Sequence, residues 1–287
     1  MFKTRSLAIF ATVVFLGTSP APAEEATDPM VQLAAALEAR LDARIGLVIH
    51  DLESPRSWEY RADERFPMAS TFKALACAAL LSGGEAVAAT PVLIEASDLE
   101  AHSPVTKDLV GHTVAVSSLC EATLRTSDNT AANYVLEILG GPDAVTAFAR
   151  AMGDEVTRLD RWEPELNEGL PGLLSDTTSP RAMASLLEAL VLGDALATAA
   201  QQQLTAWLLS NAVGDPLLRA GVPADWRVAD RTGAGGHGTR GIVAVMWPPQ
   251  REPIVAAIYL TETTASMADR NAAFAEIGAT LAALVNQ

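Results

Sequence analysis

The chain is poor in positive charge: 20 lysines and arginines face 35 aspartates and glutamates, a formal net charge of −15 over 287 residues. Such a balance repels phosphate backbones and anionic lipid, so neither nucleic acid nor a negatively charged membrane is an expected partner. Cysteine is scarce, with Cys77 and Cys120 alone. Two thiols cannot complete a structural zinc site, whereas an even pair in an exported chain reads as a disulfide, worth about 4 kcal/mol on the chain-entropy model. Histidine is sparse too, and His50, His102, His112 and His237 show no metal-ligand spacing, so no metal and no other cofactor is expected. After residue 16 no apolar run reaches the ~20 residues that cross a bilayer, and no membrane anchor is expected in the mature chain. Repeats and low-complexity segments are missing as well. What remains is a globular chain, 49% apolar, with material for one large or two modest domains.

What is present begins with a leader. Lys3 and Arg5 form a charged start, Leu7 to Leu16 an apolar stretch, and Ala21-Pro22-Ala23 a small-residue cleavage site. Export is expected, with cleavage near Ala23 and a soluble protein beginning near Glu24 in the periplasm or secreted. Apolar residues at helical spacing follow from Met30 to Leu41, then a branched-residue strand, Arg44 to Asp51, with Ser57 to Arg61 as its hairpin partner. A helix containing Ser70 runs to about Leu81 and stops at Gly83-Gly84. Further helices are expected over Val116 to Ala122, Asn129 to Leu139, Asp143 to Ala151, Pro180 to Val191 and Leu196 to Asn211, with a long loop from Arg158 to Thr178. Strands return at Trp226 to Asp230, Gly241 to Trp247 and Ile254 to Leu260, before a last amphipathic helix from Ala268 to Val285. This order predicts an α+β fold. An antiparallel five-stranded sheet flanked by helices would use both chain ends, residues 24–64 and 212–287. An all-α domain, 65–211, is inserted between them, with the active site in the cleft.

Chemistry concentrates at Met68-Ala69-Ser70-Thr71-Phe72-Lys73, where a serine and a lysine three positions apart share a helical face. A serine hydroxyl is a weak nucleophile until a base lies within hydrogen-bond reach, and a lysine at that spacing is one way to supply it. By itself S-x-x-K is a common tetrapeptide. Four further stretches give it partners. Ser127-Asp128-Asn129 sits at a break before a helix. Arg161-Trp162-Glu163-Pro164-Glu165-Leu166-Asn167 offers a carboxylate and an amide within the long loop. Arg231-Thr232-Gly233 ends a strand before a glycine-rich turn, and Thr239-Arg240-Gly241 starts the next. S-x-x-K, S-D-N and K-T-G mark class A β-lactamases and penicillin-binding proteins. From about Met30 to its end the chain resembles a class A serine β-lactamase, with the motifs in the family's order and spacing.

The resemblance implies roles. Ser70 is the nucleophile that attacks a lactam carbonyl, and Lys73 takes or relays its proton. Ser127 delivers a proton to the leaving lactam nitrogen. Glu163, with Asn167, activates the deacylating water, while Asn129 binds the substrate's side-chain carbonyl. Arg231, Thr232 and Arg240 hold the substrate carboxylate, and the backbone N–H groups of Ser70 and Ala234 form the oxyanion hole. Arg161 and Asp176 close the long loop as an ion pair, and Glu163-Pro164 is a candidate cis peptide. Whether Lys73 or Glu163 is the acylation base stays open. The family's small-molecule β-lactam substrates and monomeric state are expected with it. Asp128 and Asn133 read as internal hydrogen-bonding groups, and Phe66, Phe72, Leu75 and Trp207 as core.

Departures bear on specificity. Most family members have lysine where Arg231 stands, and arginine there resembles the carbenicillin-hydrolysing subgroup; its fork suits carboxylates, so a carboxypenicillin preference follows. His102 stands where the family often has an aromatic gatekeeper, and His237 lies in the turn flanking the cleft. Ala69 replaces the cysteine of disulfide-bearing carbapenemases. Gly233-Ala234-Gly235-Gly236-His237-Gly238 fits a dinucleotide fingerprint in letters, but a strand follows it where a helix is required. No G-x-S-x-G occurs. The rivals are a penicillin-binding D,D-peptidase, from which Glu163 and Asn167 separate the chain, and a non-hydrolysing β-lactam-binding protein.

Overall fold

The computed structural model describes residues 28–286. The leader and its cleavage site lie outside them. Asp28 starts the first helix, α1 (Pro29–Leu41): its carboxylate accepts from the Met30 N–H at 2.8 Å, and Pro29 takes a first-turn position where a missing N–H costs nothing. Strands β1 (Arg44–Asp51) and β2 (Ser57–Tyr60) form an antiparallel hairpin. The chain then builds helices α2 (Phe72–Ser82), α3 (Val116–Thr126), α4 (Asn129–Leu139), α5 (Pro142–Ala151), α6 (Pro180–Val191) and α7 (Thr198–Leu209). It returns through β3 (Arg227–Ala234), β4 (Arg240–Trp247) and β5 (Ile254–Thr261) to the last long helix, α8 (Met267–Val285).

The five strands make one antiparallel sheet in the order β2-β1-β5-β4-β3, so the α+β expectation holds. Both faces of the sheet are covered. Val243, Val245, Ala257 and Tyr259 join the core shared with α2 to α7, while Ile242, Ala244, Met246 and Ile258 pack against residues of α1 and α8. Every residue of β5 is buried as a result, and its sequence reads as a continuous apolar run with no polar alternation. Each large aliphatic side chain buried this way contributes about 1.5–3 kcal/mol. Phe66, Phe72 and Leu75 are buried in the first core, and Trp207 lies at its edge. Cys77 on α2 and Cys120 on α3 form the disulfide, with Cα atoms 5.6 Å apart. Among the described residues, no helix is long and apolar enough to cross a membrane.

Three local differences from the sequence reading shape the site. Helix α2 begins at Phe72, and Ser70 lies in a separate 3-10 turn, Ala69–Thr71. Helix α3 continues to Thr126, where Ser127 adopts a left-handed conformation at φ 66° and ends it. Strand β3 runs on to Ala234, which carries Arg231, Thr232 and Gly233 inside the sheet. Two short strand pairs were not legible at all: Phe66–Pro67 with Thr177–Thr178, and Pro91–Leu93 with Thr113–Ala115.

Candidate active site

The turn carrying Ser70 is strained. Ala69 sits at φ 42°, a left-handed conformation that costs a residue with a Cβ about 1–2 kcal/mol. The Met68 N–H donates to Asp176 O at 2.9 Å, and the Thr71 hydroxyl donates back to Met68 O at 2.8 Å. Strand β3 passes hard against this turn. A Cβ on Gly233 would lie 2.8 Å from Met68 O and 3.1 Å from the Ser70 nitrogen, so only glycine lets the strand end and the Ser70 amide share one small cavity.

Lys73 projects from the first turn of α2 and is fully buried. Its Nζ donates to Asn129 Oδ1 at 2.7 Å, to Ser127 O at 3.0 Å and to Ser127 Oγ at 3.4 Å. Glu163 Oε1 lies 2.9 Å from the same Nζ, and the two form a wholly buried ion pair. Among the described residues Lys73 makes no hydrogen bond to Ser70; the link runs through Ser127, whose Oγ donates to Ser70 Oγ at 3.1 Å. Burial pushes the Lys73 ammonium down to about 8, against the opposing pull of Glu163.

Glu163 is held by its backbone and its side chain. Asn133 clamps the backbone, accepting from the Glu163 N–H at 3.0 Å and donating to Glu163 O at 2.9 Å. Asn167 Nδ2 donates to Glu163 Oε2, and the Glu163-Pro164 peptide is cis. Glu163 Oε1 and Asn167 Oδ1 are both buried and accept no hydrogen bond from the described residues. The loop bearing them is closed at its base by Arg161 Nε on Asp176 Oδ2 at 2.6 Å. Asp176 Oδ1 also accepts the N–H groups of Asp160 and Arg161, at 2.8 and 3.0 Å. Its tip rests on the turn after β3: the Gly236 N–H donates to Asn167 O at 2.8 Å, and a Cβ on Gly236 would lie 2.2 Å from Glu168 O. The glycines of the apparent dinucleotide fingerprint thus serve close packing of this loop.

The third wall is cationic. Arg231 is fully buried; Nη2 donates to Ser127 Oγ, while Nε and Nη1 have no hydrogen-bond partner among the described residues. Burial pushes its guanidinium down to about 10, with Asp230 and Glu163 opposing. Arg240 is anchored by Nε on Asn271 Oδ1 at 2.9 Å and Nη1 on Gly233 O at 3.1 Å, and burial pushes it down to about 10 as well. Thr232 is buried between them in sequence, and Ala234 closes the strand. In a chain of net charge −15, this is a local well for an anion.

The residues singled out in the sequence therefore converge from five separate stretches. Asn129 also donates Nδ2 to Ala101 O at 2.9 Å. Asp128 is an internal hub, accepting from Thr106 and from the Val105 and Ala131 N–H groups. His102 and His237 are exposed turn residues with positive φ, and His102 Nε2 contacts Thr126 O at 3.0 Å. Among the described residues no cluster of His, Cys, Asp and Glu could hold a metal. Asn271 went unnoticed in the sequence, and Gly236 stood out only as a letter of the rejected dinucleotide fingerprint, since their importance comes from partners distant along the chain. Asn133 read as an internal hydrogen-bonding group with no particular partner.

Comparison with known proteins agrees over nearly the whole chain. Residues 29–285 match the model of the Beta-lactamase enzyme family. Beta-lactamase AER-1 of Aeromonas hydrophila is 47% identical over 259 residues, covering 89% of this chain and 85% of that one. Beta-lactamase CARB-3 of Pseudomonas aeruginosa is 48% identical over 246 residues, covering 85% of each. The solved structure of an ancestral (GNCA) class A β-lactamase superposes with a TM-score of 0.85 at 52% identity, over 88% of this chain and all of the other. With sequence motifs, sheet topology and these relatives in accord, the chain belongs to the β-lactamase enzyme family, in class A.

Proposed function

We propose that this protein hydrolyses the lactam amide bond of penicillins, carboxypenicillins included, through an acyl-enzyme on Ser70, and so confers antibiotic resistance. Ser70 Oγ attacks the lactam carbonyl and loses its proton to the Lys73–Glu163 pair. The N–H groups of Ser70 and Ala234 hold the developing oxyanion, each such donor being worth about 2.7–4 kcal/mol of barrier. As the C–N bond breaks, the nitrogen takes the Ser127 hydroxyl proton, which Lys73 replaces across their 3.4 Å contact. A water then loses a proton to Glu163, its oxygen attacks the acyl carbonyl, and Ser70 Oγ departs with a proton. Arg231, with Thr232 and Arg240, supplies the positive wall for the substrate carboxylate, and Asn129 binds its side-chain carbonyl.

The observation that carries this reading is the pair of buried acceptors, Glu163 Oε1, met by the Lys73 ammonium alone, and Asn167 Oδ1, which accepts no hydrogen bond from the described residues. They are the acceptors a water needs to be oriented and deprotonated, which a penicillin-binding D,D-peptidase or a sequestering protein has no use for. The site lies between an α/β layer, residues 24–64 and 212–287, and a helical domain, 65–211. This division is supported by a second core drawn only from residues 30–60 and 217–285. The charged and apolar leader supports export to the periplasm or beyond. Glu163→Ala decides the matter: mixed with benzylpenicillin it acylates and stalls, with turnover down roughly 100- to 10,000-fold and a penicilloyl adduct visible by mass spectrometry. Prompt turnover by that variant refutes the deacylation role.

A further inference from the structure

Beneath the strained turn lies a relay of hydroxyl groups that the scheme above does not use. Tyr259, on β5, is fully buried, with its ring stacked on Phe66 at 6.1 Å between centroids. Its hydroxyl lies 3.1 Å from Thr71 Oγ1, which in turn lies 2.8 Å from Met68 O. A threonine hydroxyl has one proton to give, and a carbonyl can only accept. Thr71 therefore donates to Met68 O, and Tyr259 must donate to Thr71. Burial pushes the Tyr259 hydroxyl well above its ordinary value, so it remains a donor throughout the working range of pH.

Room for this arrangement is made by a second glycine. A Cβ on Gly241 would lie 2.8 Å from the Tyr259 ring and 3.5 Å from Thr71 Cγ2. The relay ends on the carbonyl of the residue just before Ala69, whose left-handed φ of 42° aims the next N–H, that of Ser70. A strained residue keeps its conformation only where its surroundings over-determine it. Here Thr71 fixes the Met68 carbonyl, and Tyr259 fixes Thr71.

We propose that Tyr259 is a positioning residue for the nucleophile: its hydroxyl, acting through Thr71 and the Met68 carbonyl, holds the Ser70 turn so that the Ser70 N–H stays aimed at the oxyanion. The proposal rests on Ser70 being the nucleophile. Loss of the relay leaves the resting shape nearly intact and harms the step in which charge appears on the carbonyl oxygen, because small errors of aim cost large factors in rate.

The test compares Tyr259→Phe, Thr71→Val, Thr71→Ser and the Tyr259→Phe/Thr71→Val double variant with the parent, and with Ser70→Ala. Tyr259→Phe keeps the ring stack. It is expected to acylate with a chromogenic cephalosporin about tenfold more slowly per folded site and to bind phenylboronate, which forms a tetrahedral adduct, weaker by the same factor. Affinity for benzylpenicilloate, the hydrolysed product, is expected to stay unchanged. The double variant should be no slower than the slower single one, and Thr71→Ser should retain the rate. Parent-like acylation by Tyr259→Phe overturns the inference, as does an equal loss for phenylboronate and penicilloate, which a general loosening produces. Should Thr71→Val not fold, the split between those two probes in Tyr259→Phe still decides. A penicilloyl adduct on Ser70→Ala overturns the nucleophile assignment and this inference with it; an inert Ser70→Ala beside a normal Tyr259→Phe overturns the inference alone.

Discussion

Replacing Asp176 with asparagine removes one charge from a residue only 1% exposed, at the base of the loop that carries Glu163. Asparagine can keep one acceptor for the N–H groups of Asp160 and Arg161. Its NH2 then faces the Arg161 Nε–H, and the 2.6 Å ion pair becomes donor against donor. Removing one partner of a wholly buried pair costs about 3–5 kcal/mol. Arg161 retains some water, its side chain being 28% exposed, and keeps Glu168 at 2.7 Å, which lowers the expected loss to about 2 kcal/mol. At about 2–4 °C per kcal/mol for a chain of this size, the melting midpoint should fall by roughly 4–8 °C. Deacylation should suffer more than acylation, since the loosened loop holds Glu163 and Asn167 but not Ser70. Thermal unfolding and mass spectrometry of the reaction with benzylpenicillin read the two effects separately. A melting point within about 1 °C of the parent, with no accumulated adduct, refutes the view that this pair sets the loop.

Three further outcomes are expected. Arg231→Lys replaces a fork with a point charge, so the ratio of carbenicillin to benzylpenicillin hydrolysis should fall several-fold; an unchanged ratio removes arginine as the source of preference. Burial holds the Arg231 guanidinium below its ordinary value, but an arginine keeps its charge throughout the working range, so KM for benzylpenicillin should stay flat from about pH 7 to 10. In Arg231→Lys a rise in KM should appear within that range, because a buried ammonium gives up its proton more readily, and KM measured across about pH 7–10 checks both. Replacing Cys77 and Cys120 by serine opens a loop of 43 residues and should cost up to about 4 kcal/mol, read from urea unfolding, with kcat near the parent value.

How much of this was legible in the sequence depended on distance along the chain. Ser70 and Lys73, or Ser127 and Asn129, sit within a few residues of each other, so their motif survives in one dimension. Most of the sheet was legible because branched residues bounded by turns announce strands. The start of α2 was misread because the same letters serve a helix or a 3-10 turn, and the choice was made by Thr71 bonding Met68 O. The route from Lys73 to Ser70 through Ser127 could not be read either, since helical spacing says only that two side chains share a face. Tyr259 and Asn271 belong to elements far from the motifs, and nothing in their neighbours marks them. Arg231 and Glu163 were legible as charges, but that two guanidinium nitrogens would be buried without acceptors, and the carboxylate buried against the Lys73 ammonium, is a property of packing alone.

The bond from the Gly236 N–H to Asn167 O joins the turn after β3 to the segment that carries Glu163. Any bulk introduced at 236 must push against the Glu168 carbonyl, because no free volume separates them. Under the proposed mechanism the consequence is a coupled choice: a change of shape at that turn also displaces the segment holding Glu163, so any gain in substrate range won there should arrive with a loss in turnover.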